Sequence, residues 1–311
     1  MSPSVCVVGS FMMDLVAYAP RRPNPGETLI GTDFSFAPGG KGFNQAVASA
    51  RAGAPTAMVG CVGDDDMGAQ FRSMLAAEGI DATAVQVRPG AGTGVGLPLV
   101  EPSGQNSIVV VPRANRVVDA VQIIEAAPVI TAAAVLVLQL ELAVEAALAA
   151  ARIAHERGVT VILNPAPVCP LPAELLEHVD VLVPNEGELA ALTGRPDLGP
   201  TEAAALLRDR WGLDVVVTLG ERGALVVATG GEVSHVPALS VRAVDTVGAG
   251  DVFCGYLAAG LAQGLGLARA VETANAAAAI SVTRTGSAAS APTADEVRAF
   301  TESPSTVASG Q

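Results

Sequence analysis

Cysteine and histidine are scarce in this chain of 311 residues, which has only four of the former and three of the latter. The cysteines stand apart, with no Cys-x-x-Cys pair, at Cys6, Cys61, Cys169 and Cys254. We therefore expect free thiols in a reducing compartment and no disulfide framework. The histidines lack the spacing of metal ligands and stand at His155, His178 and His235. A zinc site is not expected either.

Basic side chains are also few: 18 Lys and Arg against 31 Asp and Glu give a net charge of −13. Binding to the backbone of nucleic acids depends on Lys and Arg, so a nucleic-acid partner is not expected. The acidity does not exclude small anionic ligands, because a few backbone N–H groups at a helix N-terminus can hold a phosphate.

No hydrophobic run is long enough to span a bilayer. The most apolar stretch, Ala126–Leu140, contains Pro128 and runs into Glu141. It falls short of the ~20 residues that a transmembrane helix needs. A strand begins almost at once at Val5, which leaves no room for a signal peptide. We expect a cytoplasmic protein without a membrane partner.

Short β-rich runs alternate with alanine-rich helical segments along most of the chain. The expected buried strands are Ser4–Val8, Thr56–Val62, Val135–Leu140, Thr160–Leu163, Val179–Val183 and Val215–Leu219. The expected helices are Asn44–Ala52, Met67–Glu78, Ala143–Arg157, Thr201–Trp211, Ala249–Gly264, Leu267–Thr285 and Ala294–Thr301. This alternation predicts an α/β fold with a mostly parallel sheet covered by helices.

Two regions, Leu15–Phe36 and Ala84–Val111, break the alternation and consist of predicted strands joined by turns. Within the second region, Gly94–Val100 and Asn106–Val111 form a hairpin-like pair with no helix between them. This pattern predicts a small sheet that is separate from the main one. Such a sheet covers a ligand or makes a dimer contact, and an extra surface hairpin is the alternative.

The strongest local signal is the sequence Asp-Thr-Val-Gly-Ala-Gly-Asp at residues 245–251, followed by an apolar helix. The small residues Gly248, Ala249 and Gly250 leave backbone N–H groups at the helix N-terminus accessible, which favours an anion pocket. Asp251 in the first turn could accept a proton from an attacking hydroxyl, and a base beside an anion pocket suits phosphoryl transfer to an alcohol. The alternative is that Asp251 only caps the helix.

A second signal is the glycine-rich sequence Pro-Gly-Gly-Lys-Gly-Phe-Asn-Gln-Ala at residues 38–46. Its glycines let the backbone approach a ligand closely, and Asn44 follows at the start of a helix. The spacing matches neither a P-loop nor a dinucleotide fingerprint. Taken alone, this turn is weak evidence for any function.

In their order and separation, the two motifs together resemble the ribokinase (PfkB) family of carbohydrate kinases, over residues 4–301. Further matching stretches are Gly9–Asp14, Pro25–Thr28, Gln139–Glu141, Asn164–Pro167, Pro184–Glu188, Thr218–Gly220 and Ala276–Ile280. The resemblance implies one Rossmann-like α/β domain over residues 1–301, with the lid strands inserted and 302–311 as a flexible tail. The β-lid of such proteins also forms a dimer clasp, so a homodimer is expected.

The activity that this resemblance implies is ATP-dependent phosphorylation of the primary hydroxyl of a sugar, with D-ribose 5-phosphate as the expected product from D-ribose. Asp251 takes the place of the general base, with Gly248, Ala249 and Gly250 as the anion hole. The positions that match sugar-binding residues are Met12, Asp14, Gly40, Lys41, Gly42, Asn44, Glu141 and Asp251. Carboxylates and amides suit hydroxyl-rich ligands because they offer several directed hydrogen bonds.

The resemblance also implies positions for ATP and for two kinds of cation. The ATP-contacting positions are Asn185, Thr218, Leu219, Gly220, Glu221, Arg222, Gly223, Gly250 and Asn275. Mg²⁺ is expected near Glu188 through water, because magnesium keeps several of its waters. Monovalent K⁺ as an activator is implied at Asp245, Val247, Ser281, Arg284, Gly286 and Ser290, with Arg284 contributing only its carbonyl.

The sequence departs from the family's usual pattern at three places. Met12 stands where many members carry Asn, Arg113 stands in Pro-Arg-Ala-Asn where Gly-Ala-Asn is more usual, and Tyr256 replaces a small residue. Met12 makes a deoxy sugar conceivable as the substrate, and the alternative within the class is a kinase for 2-deoxyribose, another sugar or a nucleoside. A catalytically silent sugar-binding regulator is the alternative from another class. A dehydrogenase is disfavoured because no strand–GxGxxG–helix unit is present.

Overall fold

Mostly apolar runs form the inner strands of a nine-stranded sheet in the computed structural model, which describes residues 5–302. In spatial order its strands are β13 (Val233–Val236), β12 (Ala224–Val227), β11 (Asp214–Thr218), β10 (Val181–Leu182), β9 (Thr160–Leu163), β8 (Val135–Leu138), β1 (Val5–Val8), β4 (Thr56–Gly63) and β5 (Asp81–Arg88). All neighbours pair in parallel except β11–β12 and β12–β13, which are antiparallel. The predicted α/β class with a mostly parallel sheet is confirmed.

Helices cover both faces of this sheet because successive residues of a strand point to opposite sides. Val5 and Val7 of β1 belong to one apolar cluster, and Cys6 and Val8 belong to the other. The helices that pack into the first cluster are α1 (Lys41–Arg51), α2 (Asp66–Ala77), α9 (Ala249–Ala262), α10 (Leu267–Ser281) and α11 (Ala294–Glu302). Those in the second cluster are α3 (Ala120–Glu125), α4 (Ala127–Ala132), α5 (Val144–His155), α6 (Ala173–Leu176), α7 (Glu186–Thr193) and α8 (Pro200–Trp211).

A second sheet of four strands stands apart from the first. Its spatial order is β3 (Asp33–Gly39), β2 (Met12–Tyr18), β6 (Gly94–Val100) and β7 (Asn106–Val111). The hairpin pairing of β6 with β7 is antiparallel, as predicted from the sequence. We call this four-stranded sheet the lid. The expectation that residues 84–88 belong to the lid is wrong, because they are part of β5 and pair in parallel with β4 of the main sheet.

Several element boundaries differ from those predicted. Helix α1 begins at Lys41 and not at Asn44, because Gly40 has a positive φ of 91° at its N-terminus. Strand β8 ends at Leu138, which leaves Gln139 and Leu140 outside the sheet. Short elements without clear periodicity, such as β12, β13, α3 and α4, were not predicted. The expected flexible tail lies, apart from residue 302, outside the described residues. No helix within residues 5–302 combines the length and the apolarity needed to cross a membrane.

Candidate active site

The predicted site residues gather at the carboxyl ends of the central parallel strands, where open α/β sheets place their ligand sites. Asn164 follows β9, Asn185 follows β10, and Thr218 ends β11. Helices α1 and α9 begin at the same edge and pack against each other. Residues that are 100 to 200 positions apart in the chain are therefore neighbours.

Asp251 lies in the first turn of α9, with only 7% of its surface exposed. Its Oδ2 accepts a hydrogen bond from Asn44 Nδ2 at 2.8 Å, and its Oδ1 accepts one from Gln45 Nε2 at 2.9 Å. Both donors are side chains of α1, so the carboxylate is directed to the neighbouring helix and not to the amides of its own. This geometry does not fit the alternative in which Asp251 is only a helix cap.

Backbone N–H groups are available at the N-terminus of α9. Gly248 precedes the helix in the left-handed region, with a φ of 80°. Within residues 5–302, the N–H groups of Gly250 and Asp251 have no acceptor, whereas Ala249 N reaches Thr246 O only at 3.4 Å. Unpaired donors at a helix N-terminus attract negative charge. The arrangement can hold an anion directly beside the Asp251 carboxylate.

Lys41 is the only lysine in the sequence, and it lines a cavity of about 200 Å³ together with Asp251 and Glu188. Burial acts to lower the pKa of its ammonium group, but the carboxylates of Asp251, Glu141 and Glu188 outweigh that effect and raise the pKa. Lys41 is therefore charged at neutral pH. It supplies a positive charge in a cavity that is otherwise acidic.

The glycine-rich turn before α1 packs tightly against the residues that follow β1. A Cβ atom at Gly40 would lie 2.8 Å from Met12 N, and one at Gly42 would lie 2.5 Å from Ser10 N. This close approach lets Lys41 N donate to Glu141 Oε2 at 2.8 Å, and the hydroxyl of Ser10 donates to the same oxygen. Since Oε2 carries both bonds, Oε1 is the oxygen of Glu141 that remains for a ligand.

Asp14 and Met12 lie two residues apart on lid strand β2, so their side chains are on the same face. The carboxylate of Asp14 occupies space that a side chain at Gly96 would fill. Among residues 5–302, no group donates a hydrogen bond to either oxygen of the Asp14 carboxylate. Burial and, second, the charge of Glu141 raise the pKa of Asp14 to about 6. Met12 is buried, with 4% exposed.

A cleft of about 990 Å³ opens beside α9, on the side of β11 and α10. Its lining includes every residue that the resemblance assigned to ATP: Asn185, Thr218, Leu219, Gly220, Glu221, Arg222, Gly223, Gly250 and Asn275. Asn275 Nδ2 donates to Pro237 O at 2.8 Å, and Arg222 forms an ion pair with Glu186, which also lines the cleft. The volume is at the upper end of the range for small-molecule sites and is large enough for a nucleotide.

Asn185 and Glu188 form a capping box at the start of α7. Asn185 N donates to Glu188 Oε2, and Glu188 N donates to Asn185 Oδ1, both at 2.8 Å. Burial raises the pKa of Glu188, an effect that the cap and Lys41 oppose and Asp251 reinforces. The other oxygen of Glu188, Oε1, remains available on the side of the cavity. A cation bound there would reduce the repulsion between the carboxylates of Glu188 and Asp251.

The residues expected around a monovalent cation are brought together behind the N-terminus of α9. Asp245 Oδ1 accepts from Val247 N and Oδ2 accepts from Gly286 N, both at 3.0 Å. The Ser281 and Ser290 hydroxyls donate to Ala278 O and Ser287 O, which leaves their oxygen lone pairs free. The guanidinium of Arg284 pairs with Glu296, so only its carbonyl remains for a cation. This donor set consists of oxygens, as a hard cation requires.

Two of the departures from the family's pattern are structural in character. Arg113 adopts a positive φ of 47°, and its guanidinium lies over Gly92 and donates to Thr93 O at 3.1 Å. Tyr256 is buried and donates its hydroxyl to Pro292 O at 2.8 Å. Both positions contribute to packing around the site, and neither lines the two cavities described above.

Four buried polar residues at the site were not predicted from the sequence: Ser10, Gln45, Gln139 and Asn164. All lie in stretches that carry the resemblance, but no chemistry was attached to them. Gln45 contacts Asp251, Gln139 and Asn164 through its amide. The available signal for this role in the sequence was that Gln45 is a polar residue at a core-facing position of α1, next to the glycine-rich turn.

A buried carboxylate, a helix N-terminus with unpaired N–H groups and a nucleotide-sized cleft lie at one edge of the α/β sheet, and phosphoryl transfer from a nucleotide to an alcohol requires groups of these kinds. The sequence matches the pfkB family carbohydrate kinase model over residues 2–294. The chain belongs to the pfkB family of carbohydrate kinases.

Two curated proteins and one solved structure show which members of the family the chain is similar to. The chain is 37% identical to the ribokinase of Haemophilus influenzae over 97% of this chain and 99% of that protein. It is also 37% identical to the deoxyribokinase of Salmonella typhi, over 95% and 98% of the two chains. The structure of Arabidopsis thaliana ribokinase complexed with ribose and ATP is similar at a TM-score of 0.92 and 30% identity, over 97% and 99%. The expected fold and the kinase class are confirmed.

Proposed function

We propose that this protein transfers the γ-phosphoryl group of ATP to the primary hydroxyl of D-ribose, giving D-ribose 5-phosphate and ADP in the cytoplasm. The observation that carries the proposal is the buried carboxylate of Asp251 at the N-terminus of α9, with unpaired acceptors among the other predicted sugar-binding residues. Two of these acceptors are the carboxylate of Asp14 and Asn44 Oδ1, and Asn44 Oδ1 is buried without a partner within residues 5–302. Such acceptors match the hydroxyl groups of a sugar.

In the proposed reaction, Asp251 accepts the proton of the sugar hydroxyl as its oxygen bonds to the γ-phosphorus and the bond to the ADP oxygen breaks. The N–H groups of Gly250 and Asp251 and the ammonium group of Lys41 stabilise the negative charge on the transferred group. Asn44 and Gln45 hold the carboxylate in place. Magnesium, held through water by Glu188, would neutralise charge on the phosphates.

A coupled ADP-release assay over D-ribose, 2-deoxyribose, fructose and adenosine tests the proposal. The highest kcat/KM is expected for a pentose. Activity on none of these compounds would favour a catalytically silent sugar-binding protein, and a preference for adenosine would favour a nucleoside kinase. The second candidate substrate is 2-deoxyribose, which Met12 and the similarity to a deoxyribokinase favour.

Met12 is expected to weaken the discrimination between ribose and 2-deoxyribose. A thioether offers apolar contact, whereas an Asn would offer a donor and an acceptor to the 2-hydroxyl. Met12→Asn is expected to raise the ribose-to-deoxyribose ratio of kcat/KM by about tenfold, the value of one hydrogen bond. Met12→Leu is the matched control, with an unchanged ratio. The prediction is wrong if Met12→Asn leaves the ratio at the wild-type value.

Sugar affinity is expected to fall below pH 6. The folded-state pKa of Asp14 is raised to about 6, and sugar hydroxyls bind the ionised carboxylate as donors. As the pH falls through 6, Asp14 takes up a proton that the sugar must displace. KM is therefore expected to rise by up to about tenfold per pH unit. Sugar KM from pH 4.5 to 8 is the measurement, and Glu141→Gln is expected to move the inflection to lower pH. A KM independent of pH would contradict this.

Activity is expected to depend on a monovalent cation. The carboxylate of Asp245 accepts hydrogen bonds from the backbone N–H groups of Val247 and Gly286. Gly248 packs against Ser287. A cation here would fix the loop that carries the anion-holding N–H groups. K⁺ is expected to raise kcat several-fold over Na⁺ or Tris at constant ionic strength. Equal rates in all three buffers would rule out the site.

The lid is proposed to join two copies of the chain in a homodimer. All six residues of edge strand β7 are exposed, including the apolar run Ile108–Val111. Phe34 and Phe36 of the opposite edge strand are about 60% and 59% exposed. Exposed apolar edge strands favour association with another strand. Sedimentation velocity gives the mass that decides between monomer and dimer.

A further inference from the structure

Three buried amide side chains, Gln45, Gln139 and Asn164, are linked to Asp251 by hydrogen bonds that run through Gln45. Gln45 is fully buried, and the other two are at most 9% exposed. Burying an amide is costly unless its polar atoms are paired. Nothing in the proposed reaction requires an amide at residue 45 except its contact with Asp251, so this cluster needs an explanation.

The hydrogen bonds of the cluster determine which way the Gln45 amide faces. Gln45 Nε2 donates to Asp251 Oδ1 at 2.9 Å and to Asn164 Oδ1 at 3.2 Å. Gln45 Oε1 accepts from Gln139 Nε2 at 2.6 Å. Asn164 is itself oriented because its Nδ2 donates to Val183 O at 2.9 Å. Rotating the Gln45 amide by half a turn would place its oxygen against two other oxygens and its NH₂ against an NH₂ donor.

We propose that Gln45 is a positioning residue for the base, and that Gln139 and Asn164 hold its amide with the NH₂ group directed to Asp251. This inference rests on the proposed function. The bond from Gln45 favours the ionised carboxylate, which is the form that accepts the proton of the hydroxyl. It also restricts rotation of the carboxylate, so that its oxygen stays aimed at the sugar.

Gln45 is distinguished from Asn44 by its burial and by its partners. Asn44 retains an unpaired buried acceptor, Oδ1, so its replacement alters sugar binding as well as the base. Every polar atom of Gln45 is already paired with protein groups. Replacing Gln45 therefore changes the base without removing a contact to the substrate.

The charged and titratable groups that face Asp251 come from three elements. Lys41 lies on α1, Glu188 on α7, and Cys254 one turn further along α9. Within residues 5–302, none of these side chains donates a hydrogen bond to Asp251, whose two donors are Asn44 and Gln45. Loss of the Gln45 donor is therefore expected to appear directly in the protonation of Asp251.

The test is the pH profile of kcat for wild type, Gln45→Met and Gln139→Met, with the sugar and ATP both saturating. Gln45→Met keeps the chain length but donates no hydrogen bond. It is expected to lower kcat by about tenfold or more and to move the acid limb upward by about one pH unit, with each KM within about twofold. Gln139→Met, which does not touch Asp251, is expected to give a smaller shift in the same direction.

Ser49→Ala is the matched control for the loss of a buried polar group in α1. Ser49 is fully buried, and its single hydroxyl proton is shared between the acceptors Gln45 O and Gly255 O, without a contact to Asp251. It is expected to lower Tm and leave the acid limb unchanged. If Gln45→Met does not fold, the Gln139→Met profile decides.

An acid limb that stays at the wild-type pH in the glutamine variants, while the wild type is active, would overturn the role of Gln45. A wild-type protein that phosphorylates none of the tested sugars would instead contradict the proposed function. The two failures are therefore distinguishable in one set of measurements.

Discussion

Replacing Asp251 with Asn is expected to lower kcat by ~10² or more, which is the contribution of a positioned general base. The amide has nearly the size of the carboxylate but cannot accept the hydroxyl proton. Its NH₂ group would also meet one of the two donors, Asn44 Nδ2 or Gln45 Nε2, that the carboxylate accepts from. One hydrogen bond of the cluster is therefore lost together with the base.

The measurement combines kcat from ADP release with the sugar dissociation constant from calorimetry. The dissociation constant is expected to change by only a few-fold, because the other sugar-binding groups remain. Near-wild-type turnover in Asp251→Asn would show that another group accepts the proton. A fall in kcat with an unchanged Tm separates the loss of the base from unfolding.

Replacing Gly248 with Ala is expected to lower kcat by ~10², through displacement of the N–H groups that hold the transferred phosphoryl group. Gly248 has a φ of 80°, which costs energy for any residue with a Cβ atom. The added Cβ would also lie 2.8 Å from Ser287 Cα. Since the contact is with backbone, the N-terminus of α9 itself must move.

Gly264→Ala is the matched control at the other end of the same helix. Gly264 has a φ of 84°, and a Cβ there would have nothing within 4 Å. The left-handed conformation is thus penalised equally in both variants, but only Gly248→Ala forces a backbone shift at the site. Gly264→Ala is expected to lower the free energy of unfolding by about 1 kcal/mol and to keep its activity. Equal kcat values in the two variants would exclude a role for the position of the α9 N-terminus.

The fold class and the local character of both motifs could be predicted from the amino-acid sequence. Strands buried on both faces must be apolar throughout, so β1, β4, β8, β9 and β11 could be predicted from composition alone. The glycines at residues 40 and 248 likewise mark turns that few other residues adopt. Asp251 was recognisable as a candidate base because it immediately follows the small residues of the 245–251 motif.

The sheet that a strand joins and the side chains that come into contact depend on how distant segments of the chain pack. Residues 84–88 have the same β-rich character as the lid strands, yet parallel pairing with β4 places them in the main sheet. Gln45 and Asp251 are 206 positions apart, and Gln45 and Gln139 are 94 apart. Their contacts depend on how α1 and α9 pack at the carboxyl edge of the sheet. Local periodicity carries no information about such pairings, because it reports the burial of a residue and not the identity of its partner.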